Sequence, residues 1–288
     1  MPDHPLRILI TGASGYLGSA LVRHVRAARP EWELHGTFLS QPPPSITPHP
    51  HRIDIRNGAA IHELFEQVQP DVVVHTAARM TGDYESLRDV NAVATGEIIQ
   101  AAARFTARVI YTSTDLVFDG ERGGYSESDN PRPVMAYGMS KLEGERTVLA
   151  GPAHVLIVRT SLIFGFDPLD PRTLAVLDGR MRRLYTDEFR CPIWVGSLCS
   201  ALLELAETQR EGVLHVAGAQ PLSRFEFGQR LIRRLGRPEI DLIPALSAES
   251  GVVRPRDCTL DTRLARGVLR TPLPGVDRVL ESIDLPIF

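Results

Sequence analysis

The stretch Ile8-Leu9-Ile10-Thr11-Gly12-Ala13-Ser14-Gly15-Tyr16-Leu17-Gly18 decides how this chain is read. A short apolar run meets three glycines spaced three apart, and an amphipathic run follows at once. Each glycine has its own use. Gly12 permits a sharp turn off a strand, because a residue without Cβ adopts backbone angles closed to others. Gly15 leaves nothing between the backbone and a bound group. Gly18 lets a helix lie close on the sheet. A helix starting here aims unpaired N–H groups and the positive end of its dipole at the loop. The stretch therefore reads as a pyrophosphate-binding turn between a first strand and a first helix.

Outward from this turn, short apolar runs alternate with longer amphipathic ones. Strands are predicted at Arg7–Ile10, Leu34–Phe38, Asp71–His75, Ala107–Thr112 and His154–Arg159. Helices are predicted at Gly15–Ala28, Ile61–Val68, Ser86–Phe105 and Met135–Leu149. Asp71–His75 and Ala107–Thr112, with their apolar centres Val72–Val74 and Val109–Tyr111, read as strands buried on both faces. The Pro-rich stretch Gln41–Pro50 is expected to be an irregular loop, because proline has no N–H to donate. The fold class that follows is α/β: a Rossmann-type doubly wound parallel sheet. After Arg159 the alternation loosens. Phe164–Arg172 reads as a loop, Val195–Thr208 and Ser223–Leu235 as helices, the latter capped by Ser223, and Val213–Val216 as a short strand. Residues 1–160 are expected to form the dinucleotide-binding domain, with a return segment at about 193–218. Residues 161–192 and 219–288 are expected to form a small C-terminal substrate lobe.

Composition narrows the function classes. A length of 288 residues suits one large α/β domain or a domain with a smaller lobe. A net charge of −3 argues against a nucleic-acid partner, which needs a basic excess. The densest arginine groups, Arg180/Arg182/Arg183 and Arg230/Arg233/Arg234, read as exposed helix faces. Cys191, Cys199 and Cys258 form no C-x-x-C and no Cys/His cluster, so neither a disulfide scaffold nor a metal site is expected. Met1 to Leu6 lacks the pattern of a signal peptide. No apolar run reaches the roughly 20 residues of a membrane span. A cytoplasmic location without membrane attachment is the expectation.

A dinucleotide on this loop is NAD(H) or NADP(H). NAD-binding sheets usually end the second strand in an acid that bonds the ribose 2′-hydroxyl. Here the region is Gly36-Thr37-Phe38-Leu39-Ser40, with no acid and no arginine, Arg52 being near in sequence only. Thr37 and Ser40 can bond either form of the ribose, and the missing acid tilts the choice to NADP(H).

Tyr137-Gly138-Met139-Ser140-Lys141 sets a phenol and an ammonium four residues apart, on one face if the segment is helical. A phenol titrates near ~10, and a neighbouring cation lowers that value. Such a pair is a general acid/base for interconverting a carbonyl and an alcohol. Val109-Ile110-Tyr111-Thr112-Ser113-Thr114-Asp115 is an apolar strand ending in hydroxyls, and Thr114 is placed to bond a substrate carbonyl. Singly, these patterns are commonplace surface contacts or turn caps. Together with the glycine loop, in this chain order, they form a site.

That order resembles the extended short-chain dehydrogenase/reductases, and in particular the dTDP-4-dehydrorhamnose reductase family. Ser113-Thr114-Asp115-Leu116-Val117-Phe118-Asp119-Gly120 is similar to its S-T-D-Y-V-F-D-G block. Tyr137 to Glu145 is similar to its Y-G-x-x-K-x-x-G-E block, Asp187 to Pro192 to D-Q-x-G-x-P, and Arg254 to Asp261 to R-P-x-x-S-x-L-D. The same blocks, and the Leu285-Pro286-Ile287-Phe288 end, resemble the regulatory beta subunit of methionine adenosyltransferase.

The resemblance implies Thr114, Tyr137 and Lys141 as the catalytic triad. It implies Gly12, Ser14, Gly15, Tyr16, Leu17 and Gly18 around the pyrophosphate, Ser40 near the ribose, and Asp54 and Ile55 at the adenine. Ala77, Ala78, Arg79 and Thr112 would line the cofactor, Asn91 would organise the site, and Lys141 would bond the nicotinamide ribose. On the substrate side it points to Asp115, Leu162, Arg190 and Arg254. The implied activity is reduction of a keto group, on a nucleotide sugar, by NAD(P)H; the alternative is an NADP-binding regulatory module. Relatives are often dimers, so a homodimer is an open expectation, and some hold magnesium at that interface, for which no ligand set is seen here. The departures fall on the substrate side. Leu116 replaces a tyrosine, Leu162 a tryptophan, Glu188 a glutamine, Arg190 a glycine and Cys258 a serine. The stretch between Ala78 and Asn91 is also shorter and lacks V-D-x-A-E.

Overall fold

The structure is a computed structural model that describes residues 5–43 and 45–283. The expectations resting on Met1–His4 and on the Leu285-Pro286-Ile287-Phe288 end therefore lie outside the described residues.

In chain order the elements begin with β1 (Arg7–Thr11), α1 (Tyr16–Ala28), β2 (Glu33–Phe38), β3 (His49–Arg52), α2 (Gly58–Val68) and β4 (Val72–His75). Then come α3 (Tyr84–Arg88), α4 (Ala94–Arg104), β5 (Arg108–Thr114), α5 (Ala136–Ala150) and β6 (Val155–Thr160). There follow β7 (Ile163–Phe164), α6 (Pro171–Leu177), β8 (Arg183–Tyr185), β9 (Phe189–Arg190), β10 (Ile193–Trp194) and α7 (Val195–Ala206). The chain closes with β11 (Gly212–His215), β12 (Leu222–Ser223), α8 (Arg224–Arg234), β13 (Ile243–Ala245), α9 (Arg263–Val268) and α10 (Val276–Ser282).

Seven strands form one sheet in the order β11-β6-β5-β4-β1-β2-β3. The pairings around β1 are parallel, with Ile8 opposite Leu34 on one side and Val72 on the other. The order reverses at β1, between β2 and β4, which is the switch point where open α/β sheets bind ligands. This is the Rossmann-type doubly wound sheet expected from the alternation. Strand residues Leu9, Val73, Val109 and Ile157 pack with Phe65 of α2 and Ile98 and Ile99 of α4, all fully or almost fully buried. No helix among the described residues is long and apolar enough to cross a membrane.

The chain divides into two compact units. The first comprises Met1–Thr114, Ala136–Val158 and Cys199–Leu214; the second comprises Asp115–Met135, Arg159–Leu198 and His215–Phe288. The segment Asp115–Met135, which the strand alternation grouped with the first domain, falls in the second unit. That unit has its own core, in which Phe164, Phe166, Phe227, Leu231, Val276 and Val279 pack together. Ser223 caps α8 with a full capping box: its hydroxyl accepts from Glu226 N, and the Glu226 carboxylate accepts from Ser223 N.

Four expectations need correction. The helix read over Ser86–Phe105 is broken: α3 ends at Arg88, and a single π turn, Asp89–Val93, precedes α4. The loop read over Gln41–Pro50 yields its last two residues to β3, where Gly36 lies opposite Pro50. β3 is the edge strand, the place in a sheet that tolerates a missing donor. Arg180, Arg182 and Arg183 lie on a turn and the start of β8, not on a helix. Arg230, Arg233 and Arg234 do lie on α8, yet Arg234 is half-buried and donates to the carbonyls of Leu280 and Ile283 at the end of α10.

Candidate active site

The glycine loop adopts the geometry that its spacing implied. Gly12 has φ +71°, and a Cβ there would stand 2.7 Å from Ala77 Cα. A Cβ at Gly18 would meet the Gly12 carbonyl oxygen at 2.2 Å, so α1 can press on the turn only because Gly18 has no side chain. Gly15 stands exposed at the crest as the N-cap of α1, which has no side-chain cap and no acid in its first turn. Ser14, Tyr16 and Leu17 are half-buried beside it. Ala77 thus backs the loop, while Ala78 and Arg79 beyond it are exposed.

Thr37 is not available to a ribose. It is almost fully buried, and its hydroxyl accepts from Gly12 N at 3.2 Å. Ser40 is exposed. The parallel pairing of β2 with β3 puts Arg52 opposite Phe38, and its Nε donates to Leu39 O at 3.3 Å. An exposed guanidinium therefore stands at the end of β2, where sequence distance had hidden it. Asp54 follows β3 with its carboxylate engaged by Arg56, which holds it below the usual carboxylate range. Ile55 is buried.

The π turn carries Asn91, which is fully buried. Its side chain accepts from Arg79 N at 2.9 Å and donates to Arg79 O at 2.8 Å and to Ser140 Oγ at 2.9 Å. Ser140 donates in turn to Tyr137 O at 2.8 Å. One amide thus ties the strand-end segment beside the glycine loop to the first turn of α5. A second chain joins it. Thr95 donates its only hydroxyl proton to Asn91 O, so His75 Nε2 must carry the proton it gives Thr95, and His75 Nδ1 accepts from Thr11. Burial and the Lys141 charge hold His75 neutral, its pKa lowered to about 3. A side chain outside this π turn would aim elsewhere, which fits the frequent use of such turns at functional sites.

α5 carries Tyr137 and Lys141. It seats so close to β5 that a Cβ at Gly144 would lie 2.3 Å from both Asn91 O and the Tyr111 hydroxyl. Tyr137 is half-buried. Lys141 is 2% exposed, with its Nζ 3.9 Å from the centroid of the Tyr111 ring. Burial lowers its pKa to about 7, against a smaller raising effect from Glu145. Glu145 is buried too and accepts from Ser113 Oγ at 2.5 Å. Tyr111 itself is pushed well above its ordinary value by burial, and its hydroxyl donates to Asn91 O. Thr114, at the end of β5, is buried, whereas Thr112 gives its hydroxyl to His75 O at 2.9 Å. The catalytic candidates Thr114, Tyr137 and Lys141 all belong to the first unit.

The second unit holds the substrate-side candidates, and it uses three of them, Asp115, Arg190 and Arg254, internally. Asp115 accepts from Ser161 Oγ at 2.6 Å and pairs with Arg190 at 3.7 Å, both charges being buried. Arg190 also donates to the carbonyls of Phe189, Pro255 and Arg256. Arg254 is bound to the fully buried Glu188 and lies over the Tyr185 ring. Leu162 lines a small pocket with apolar side chains from Val176, Leu184 and Phe227 and polar groups from Asp170, Arg172 and Arg224. Burial brings the Arg224 pKa down to about 10.

Comparison with known proteins gives a consistent answer. The profile of the family described as RmlD substrate binding domain matches residues 6–283. A probable low-salt glycan biosynthesis reductase, Agl14, of Haloferax volcanii is 30% identical over 96% of each chain. Methionine adenosyltransferase 2 subunit beta of Rattus norvegicus is 28% identical over 88% of this chain and 80% of its own. The crystal structure of a hypothetical dTDP-4-dehydrorhamnose reductase from Sulfolobus tokodaii superposes with a TM-score of 0.82 at 31% identity, over 97% of this chain and all of the other. Structures sharing only the fold, at 23–24% identity, include complexes with NADP and with NAD.

Proposed function

Since this chain belongs to the RmlD substrate-binding domain family, we propose that it is an NAD(P)H-dependent reductase of a keto group on a nucleotide sugar. The observation that carries the reading is Lys141: a buried ammonium, poised near neutrality, one helical turn after Tyr137. When bound, a reduced nicotinamide supplies hydride to the ketone carbon. Tyr137 gives the phenolic proton to the oxygen, and Thr114 holds that oxygen by a hydrogen bond. The Lys141 cation stabilises the phenolate that remains, and the burial that lowers its own pKa lets it return a proton.

The residues fit the cofactor. The Gly12–Gly18 turn offers an uncapped helix start to a pyrophosphate, and Asn91 braces its back wall. NADP(H) is the preferred form in this reading. No acid ends β2, and the Arg52 guanidinium, bonded to Leu39 O at the end of that strand, is the cation that would meet a 2′-phosphate. Tyr137→Phe tests the mechanism: turnover with NADPH and a panel of dTDP-, GDP- and UDP-4-keto sugars is expected to disappear, with NADPH affinity retained. Full activity in that variant would refute it.

One observation favours a second reading, a cofactor-binding regulatory module like the methionine adenosyltransferase subunit. Asp115 and Arg190 neutralise each other inside the second unit and offer little charge to a sugar nucleotide. Silence of the wild-type protein across the sugar panel, with NADPH bound, would select that reading.

A further inference from the structure

The sheet edge opposite the catalytic helix in sequence holds a group that the proposed reaction leaves unused. β2 contributes Glu33 and His35, two residues apart and so on one face; β3 contributes His49 and His51 in the same way. The register sets His35 opposite His49 and Thr37 opposite His51. The His35 ring centroid is 4.7 Å from that of His49 and 5.3 Å from that of His51, the ring planes 23° and 17° apart. One nitrogen of His35, Nδ1, is 3.0 Å from His51 Nε2; the other, Nε2, is 3.0 Å from Glu33 Oε1. The ligand atoms of Glu33, His35 and His49 all fall within 4.8 Å of one another.

We propose that Glu33, His35 and His49 form a binding site for a divalent transition metal, Zn²⁺ by its chemistry, with His51 as the residue that orients His35. Two imidazoles and one carboxylate suit a borderline ion, and three protein ligands leave a fourth position for water. Ligand atoms around tetrahedral zinc stand about 3.3 Å apart, given bonds of about 2.0–2.1 Å. The contraction from 4.8 Å falls to Glu33 and His49, both exposed side chains with rotamers to spare, while buried His35 stays fixed.

His51 supplies the outer contact that metal-bound histidines need. Without metal, His35 gives its Nε2 proton to Glu33, and its Nδ1 accepts from His51. With metal on Nε2, His35 carries its proton on Nδ1 and donates it to His51 Nε2, while His51 moves its own proton to Nδ1. No net proton is released by the two rings. The nearby cation, Arg7, is engaged elsewhere, with the Asp71 carboxylate and Val68 O. Linear spacing hides this site: fourteen positions separate His35 from His49, and only the strand register brings them together.

Metal bound here would clip the edge strand β3 to β2. The test uses untagged full-length protein stripped with chelator, titrated with Zn²⁺ against a chromophoric chelator and with Co²⁺ followed by its visible tetrahedral bands. One equivalent per chain is expected, with slower amide exchange across His49–Arg52. His49→Ala and Glu33→Gln, both at exposed positions, are expected to remove stoichiometric binding with unchanged far-ultraviolet circular dichroism and NADPH affinity. His51→Ala is expected to weaken binding about 10–100-fold. Absence of one-equivalent binding in the wild type overturns the proposal, and so does binding that survives both His49→Ala and Glu33→Gln.

Discussion

Replacing Lys141 with methionine should make this protein more stable while stopping its chemistry. Lys141 is 2% exposed, and burial brings its pKa from 10.5 to about 7. At about 1.4 kcal/mol per tenfold, that fall corresponds to about 5 kcal/mol held against folding when the ammonium is charged. The cation over the Tyr111 ring returns about 2 kcal/mol, a desolvated cation–π contact. Methionine keeps most of the volume and removes both effects, leaving a net gain of about 3 kcal/mol at pH 6. The pH dependence identifies the cause. Below pH 7 native and unfolded chains both carry the proton, so the penalty is complete. Between about 7 and 10.5 the unfolded chain binds more protons than the native one, so wild-type stability from this group rises with pH. The advantage of Lys141→Met should therefore shrink from pH 6 to pH 10. Urea unfolding of both proteins at pH 6, 8 and 10 reads the difference directly. A variant less stable than wild type at pH 6, or a difference that does not change with pH, would refute the reasoning. Turnover should fall by at least about a hundredfold, the usual yield of a positioned acid/base pair.

Other substitutions probe separate joints of the structure. Gly144→Ala forces a methyl group against Asn91 O and the Tyr111 hydroxyl; it should cost about 1–3 kcal/mol in thermal or urea unfolding and lower kcat by displacing Tyr137. Arg52→Ala should weaken NADPH binding roughly tenfold or more, the loss of one hydrogen bond to a charged group, and leave NADH binding unchanged in a fluorescence titration. Asp115→Asn should destabilise the protein by about 3–5 kcal/mol, because Arg190 is left buried with its counter-charge gone. If Asp115 instead served substrate alone, the change would appear in KM with stability intact.

Several parts of this protein could be read from the chain because the information is local. The glycine turn, the strands around it and the Tyr137/Lys141 face depend on residues a few positions apart, and helix and strand periods act over that distance. The same reasoning recovered Ser223 as a cap, since capping is settled within three residues. It failed where one continuous period hid a local change: the π turn inside Ser86–Phe105 carries Asn91, and its single-residue excess leaves no mark on the apolar pattern.

The linear order thus determined the sheet, its glycine turn and the placing of Tyr137 and Lys141 on one helix, for these follow from short-range backbone geometry. Tertiary structure alone decided which distant groups meet. Pairing of β2 with β3 brought Arg52 to the end of β2 and gathered Glu33, His35 and His49. Packing within the second unit closed Asp115 on Arg190. Burial, a property of the folded chain and not of any one segment, set the proton affinity of Lys141. Strand register and desolvation are sums over many distant contacts, and no window along the chain contains them.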